Sequence, residues 1–278
     1  MKVERLGAHT FGFIWSHAPE DAFAKISALG CMHVQLMATP PHFDPWCEDA
    51  GRTKALRAQL AQSRLELVAI DLASNDVNLA SPSAEVRAFS VAAYRSAIAR
   101  AAELGAPAVC IGSGRRHALF PAADGLLMDG FRRAFADIHR AADNAGLRLL
   151  LENHPQGLLA RADRIADWLN AEGYDDIGVI YDVANALAAG EEAAEGISAL
   201  GARLSVVHLS DTPRSAWLHG PIGCGDIDFG AAGAALRACG FDGPVVLEII
   251  ADNPASAIAD GLERLAAAGW AFPSARTH

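Results

Sequence analysis

The chain has 278 residues, enough for one large domain or two modest ones, and half of them are hydrophobic. A formal charge of −10 argues against a protein that holds nucleic acid by neutralising phosphates. No apolar run approaches the roughly 18 residues of a membrane span, and the start, Met1 to Arg5, lacks the apolar core of a signal peptide.

Short apolar segments alternate with helical ones from the first residues onward. The first strand is read over Leu6 to Trp15. Pro19-Glu20-Asp21 opens a helix that closes at Gly30. Met32 to Met37 is the second strand, and a polar loop from Thr39 to Glu48 leads to a helix ending near Ser63. Leu65 to Leu72 is the third strand. Ser81-Pro82-Ser83-Ala84-Glu85 is a helix start, with Ser81 as cap and Pro82 in the first position. That helix runs to Gly105, and Pro107 to Ile111 is the fourth strand. A helix from Asp124 to Ala145 precedes Leu149-Leu150-Leu151, a run apolar on both faces, as in a buried parallel strand. Further helices are expected near 162–172, 191–201, 229–239 and 254–269, and the tail after Trp270 reads as loosely held. The cysteines, Cys31, Cys47, Cys110, Cys224 and Cys239, are odd in number and lack Cys-x-x-Cys spacing. They read as reduced thiols of a cytoplasmic protein.

Alternation of this kind means a parallel sheet. Eight βα units in about 250 residues, with no break in composition, fit a single-domain α/β chain folded as a (β/α)₈ TIM barrel. No Gly-x-Gly-x-x-Gly follows the first strand, so a dinucleotide-binding fold has little support. In barrels the strands' C-terminal ends build the active site, and the last four strands end alike. Leu149 to Leu151 ends in Glu152, Gly178 to Tyr181 in Asp182, Leu204 to Val207 in His208, and Pro244 to Leu247 in Glu248. Carboxylates brought together at about 4 Å repel by about 4 kcal/mol per pair at an effective dielectric near 20. Either they take up protons or a cation binds. Three carboxylates and one imidazole suit one divalent ion: Mn²⁺ or Mg²⁺ by the oxygen-rich set, Zn²⁺ or Co²⁺ by the imidazole.

Those pieces carry a resemblance. Leu-Glu-Asn-His (151–154), Tyr-Asp-Val-Ala-Asn (181–185), Val-His-Leu-Ser-Asp (207–211), His-Gly-Pro-Ile-Gly-Cys-Gly-Asp-Ile-Asp (219–228) and Val-Leu-Glu-Ile (246–249) are similar to the xylose-isomerase-like barrels of sugar-phosphate isomerases and epimerases. The resemblance implies that Glu152, Asp182, His208 and Glu248 hold one divalent metal. It also implies that Glu152 and Glu248 flank the substrate as acid and base.

Three departures stand out. Ketose 3-epimerases usually carry His where this chain has Asn185, and many relatives carry Glu where it has Gln35. The endonuclease IV branch uses an Asp-x-His pair, whereas Trp217-Leu218 precedes His219 here. Weaker candidates for substrate contact are His154, Asn185, His219, Arg115 and His9. Asp211 is a candidate for orienting His208, and the Met and Trp residues read as packing.

The expected activity is metal-dependent isomerisation or epimerisation of a small carbohydrate-like substrate, without nucleic acid or membrane, in a chain compatible with a homo-oligomer. The alternatives are a dehydratase of inosose or dehydroshikimate type, an endonuclease IV-like nuclease, and a non-catalytic sugar-binding barrel.

Overall fold

The computed structural model describes residues 1–46, 49–73 and 76–273. Cys47, the end of the 39–48 loop and the last five residues of the tail lie outside the described residues. Eight parallel strands close into a barrel in sequence order. They are β1 (Leu6–His9), β2 (His33–Ala38), β3 (Glu66–Leu72), β4 (Ala108–Gly112), β5 (Arg148–Glu152), β6 (Gly178–Asp182), β7 (Leu204–Leu209) and β8 (Val245–Leu247). The helices among the described residues are α1 (Pro19–Ala28), α2 (Ala50–Ser63), α3 (Ala84–Leu104), α4 (Asp124–Asn144), α5 (Ala162–Glu172), α6 (Val183–Ala188), α7 (Ala193–Leu200), α8 (Phe229–Ala238) and α9 (Pro254–Ala267). Among the described residues, no helix is long and apolar enough to cross a membrane.

Period-two alternation explains the apolar strands. Leu149, Leu151, Val179, Tyr181, Val207, Val245 and Leu247 face outward into the main core shared with the helices. Leu150, Ile180, Val206 and Val246 face inward and pack with Val68, Ala69, Ala108 and Cys110 into a separate core that fills the barrel. The barrel is therefore a plugged cylinder, and its chemistry is confined to the layer above that plug.

Three elements differ from the sequence reading. β1 stops at His9, not near Trp15, because His9 Nδ1 accepts the Phe11 N–H at 2.9 Å and turns the chain into a 3₁₀ turn over Thr10–Phe13. α3 is capped by Ser83, whose hydroxyl accepts from Val86 N–H, while Ser81 Oγ accepts from Ser83 N–H one step earlier. The extra helix α6 follows β6 without a loop, because Asp182 Oδ1 accepts the Asn185 N–H at 2.6 Å and serves as its N-cap. The chain end is also tied down further than expected. Trp270 is buried and donates to Phe229 O, and Ala271 N–H donates to Met1 O.

Candidate active site

Sheet register puts the four strand-end residues on one face. Asp182 is paired with His208, so both side chains point the same way. Glu152 is paired with Ile180, two residues before Asp182, and His208 with Val246, two residues before Glu248. A step of two preserves the face. Each of the four thus lies directly above an inward-facing residue of the plug: Leu150, Ile180, Val206 or Val246.

The side chains meet closely. His208 Nδ1 lies 2.8 Å from Glu248 Oε2, 3.3 Å from Glu152 Oε1 and 3.8 Å from Asp182 Oδ2. One ligand-type atom from each of the four falls within 4.8 Å of the others. The other imidazole nitrogen, Nε2, is 2.9 Å from Gln35 Oε1. With the Gln35 oxygen as acceptor, Nε2 carries a hydrogen, and Nδ1 is the ring nitrogen left to face the carboxylates. His208 Nδ1, Asp182 Oδ2 and Glu248 Oε2 are buried and make no well-formed hydrogen bond. Buried polar atoms without partners are rare, and three converging on one point fit a cation.

Electrostatics repeat the message. Burial pushes the Glu152 carboxyl up to about 7, and burial also raises Asp182. For Glu248, burial is outweighed by the imidazoles of His9, His208 and His219, which hold it well below the usual carboxylate range. Burial opposes charge on His208, but Glu248 and Glu152 outweigh it and lift the imidazole well above its ordinary value. These groups are held in mutually perturbed states, the usual condition of a functional centre.

The weaker candidates divide. His219 approaches the cluster, 3.6 Å from Asp182 Oδ2 and 3.9 Å from Glu248 Oε2. His154 lies beside Glu152 in the cavity wall and is lowered to about 4 by burial, with Arg115 and His219 adding to it, so it is neutral at pH 7. Asn185 is anchored at both ends of its amide: Nδ2 donates to Asn153 O and Oδ1 accepts from Trp217 Nε1. Arg115 lines a space of about 20 Å³ beside Glu152 and His154. Asp211 makes its hydrogen bonds elsewhere than on His208. Its carboxylate accepts from the backbone N–H of Thr212, Gly223 and Ile227 and ties down the loop that carries His219. Gly225 belongs to the same loop, and a Cβ there would collide with the Thr212 backbone.

Four neighbours were not singled out as site residues by the sequence reading. Asp71 on β3 is buried and pairs in register with Met37 and Cys110, on the inward face. His9 Nε2 lies 3.2 Å from Asp71 Oδ2, and His9, Asp71 and Glu248 form a second potential ligand group. Cys110 donates its thiol to Glu152 Oε2 at 3.3 Å. Trp217 lines the cavity instead of packing in the core, and Trp15 is 78% exposed at the rim. The signal for Asp71 was present in the sequence: a carboxylate inside the apolar run that follows Glu66 in β3.

Above the cluster opens a cavity of about 840 Å³. Glu152, Glu248, Asp71, His154, His219 and Asn185 line it, whereas Asp182 and His208 lie below its surface.

Comparison with known proteins agrees with the architecture. The family model described as a xylose isomerase-like TIM barrel matches residues 23–268. A protein named probable endonuclease 4 from Mycobacterium ulcerans (strain Agy99) is 31% identical over 265 residues, covering 91% of this chain and 98% of that protein. A D-tagatose 3-epimerase-like protein superposes with a TM-score of 0.80 at 20% identity, covering 95% of this chain and 97% of the other. An L-ribulose 3-epimerase superposes with a TM-score of 0.80 at 21% identity, covering 96% and 94%. On the family match and the near full-length relative, the chain belongs to the xylose isomerase-like TIM barrel family.

Proposed function

We propose that the protein is a divalent-metal-dependent isomerase or epimerase of a small polyhydroxylated carbonyl compound. The observation that carries this reading is the convergence of Glu152, Asp182, His208 and Glu248, with unpartnered buried atoms facing one point. Structural neighbours named as 3-epimerases lend it support. The four residues would hold one ion, Mn²⁺ or Mg²⁺ by the oxygen-rich set, with Zn²⁺ or Co²⁺ compatible with the imidazole. When bound, such an ion supplies Lewis-acid polarisation of a carbonyl and acidifies the neighbouring C–H.

This chain's own residues do the rest. Glu152 and Glu248 are the two carboxylates of the set that reach the cavity, so one removes the carbon-bound proton and the other, or the same one, returns it. Gln35 fixes the His208 ring through Nε2. His154, neutral at pH 7, and His219 offer ring nitrogens to substrate hydroxyls, and His9 supports the cavity residue Asp71 from beneath through its 3.2 Å contact. The same proton abstraction followed by loss of a β-hydroxyl would make the protein a dehydratase.

Metal loading tests the reading directly. After dialysis against Mn²⁺, elemental analysis should find about one equivalent per chain, the count that a single four-residue site implies. His208→Ala and Asp182→Ala should each lose most of it while keeping the wild-type circular dichroism. Unchanged stoichiometry in both variants would remove these residues from the site.

A nuclease reading has one observation in its favour, the relatives named endonuclease 4. The cavity opposes it. Among its described lining residues are Asp71, Asp76, Glu152 and Glu248 but no Lys or Arg, and Trp217 occupies the wall. A DNA backbone needs cationic contacts. Incubation with an abasic duplex and Zn²⁺ should therefore leave the strand intact. Scission at enzyme-like rates that disappears in Glu152→Gln would restore the nuclease.

A further inference from the structure

The cavity is furnished unevenly. Its floor is acidic and hydrogen-bonding, with Asp71, Glu152 and Glu248. One wall is a ladder of rings. Phe11 and His219 are 6.5 Å apart between centroids, His219 and Trp217 6.2 Å, and Trp217 and His154 4.7 Å, each pair edge-to-face. Trp217 is held in place by its Nε1–H bond to Asn185 Oδ1 at 2.8 Å. Higher up, the rim is apolar and open to solvent: Trp15 is 78% exposed, Leu218 48% and Ile250 45%. Isolated exposed apolar residues need no explanation, but several lining one mouth mark a binding surface.

Size and charge narrow the ligand. A volume of about 840 Å³ lies in the range, roughly 300–1,000 Å³, that encloses drug-sized ligands. One free monosaccharide seated on the floor would leave the rim wet. Among the described residues lining this cavity, none is Lys or Arg. The adjoining space that Arg115 lines, about 20 Å³, has room for about one water and not for a phosphate group. An anionic ester reaching out along the walls would find no Lys or Arg among those residues to pair with.

We infer that the substrate is an unphosphorylated polyhydroxylated carbonyl compound bearing an aromatic substituent, its ring on the acidic floor and its substituent between Trp217 and the Trp15–Leu218–Ile250 rim. The inference rests on the function proposed above for the floor, and adds what the walls select. Trp217 provides a fixed face for edge or offset stacking. The rim supplies apolar area that is removed from water only when a substituent reaches it.

Two keto glycosides that differ only in the substituent provide the test: phenyl and methyl 3-keto-β-glucopyranoside, with the 6-phosphate of the methyl compound as a third probe. Calorimetric titration of the full Mn²⁺-loaded chain should give a dissociation constant at least about tenfold lower for the phenyl than for the methyl glycoside. The phosphate should bind no better than its parent. Trp15→Ala combined with Ile250→Ala, both at exposed positions, should bring the phenyl-to-methyl ratio toward one. Deuterium uptake in D₂O, measured in parallel, reports the floor's chemistry separately. Equal affinity for both glycosides with deuterium uptake would overturn the inference and leave the proposed function standing. A phenyl preference without metal dependence or uptake would do the reverse. Tighter binding of the phosphate, failure of both glycosides to bind, or a stable dimer that shields Trp15 from acrylamide quenching would each overturn the inference.

Discussion

In D₂O, a carbonyl compound that the protein turns over gains deuterium at the carbon next to the carbonyl, and Glu152→Gln and Glu248→Gln each slow that gain by about 10²–10⁴-fold. The expectation follows from position. Both carboxylates line the cavity, at 3.3 and 2.8 Å from His208 Nδ1. A base must come within about 3 Å of the proton it takes, directly or through one water. An amide of the same shape cannot accept that proton, so the loss falls on chemistry more than on fit. Metal content has to be measured in each variant, because the same residues belong to the proposed ion site. Deuterium in a rearranged sugar identifies an isomerase or epimerase, and deuterium in an unsaturated product a dehydratase. Turnover with no uptake would count against open proton transfer and favour a hydride shift.

The parts of the site legible in the sequence share one physical signature. A buried strand that ends in a charge has to repay its desolvation. In β5 to β8 an apolar run gives way, at or just past its end, to a metal-compatible side chain, so Glu152, Asp182, His208 and Glu248 stood out, and the closed barrel followed from strand and helix alternation. What stayed hidden depends on contacts between strands far apart in the chain. Gln35 matters because β2 is brought across the barrel mouth to His208, 173 residues away. Asp71 sits inside β3 with a residue after it, not at the end of the run, and its partner His9 lies on β1. Asp211 looked like a carboxylate for His208, being three residues on, but β7 has ended by then and the backbone N–H groups of the following loop claim it. Cap choice was a local ambiguity: Ser81 and Ser83 both stand before α3, and only the observed turn decides between them.

Stability should show the same tension between the four residues. The Glu152 carboxyl is pushed up to about 7 by burial, whereas in an unfolded chain it titrates near 4.5. A carboxyl whose folded pKa is raised binds its proton more tightly in the folded state. The metal-free protein therefore carries no penalty from Glu152 below about pH 4.5, a growing one as pH rises through 4.5 to 7, and the full penalty above. The full term is about 3 kcal/mol, at 1.36 kcal/mol per pKa unit. Gln resembles the protonated side chain, so in EDTA the Glu152→Gln variant should lie close to the wild type at pH 5 and melt several degrees higher at pH 8. Divalent ion should reverse the order at pH 8. A ligand that binds only the folded state raises its stability by mass action, and the wild type, with its full set of carboxylates, should gain the more. Melting curves at the two pH values, with EDTA and with excess Mn²⁺, give all four comparisons. A wild type as stable as the variant at pH 8 in EDTA would show that Glu152 is not held under charge strain. If Mn²⁺ then stabilised both proteins equally, Glu152 would not be among the ligands.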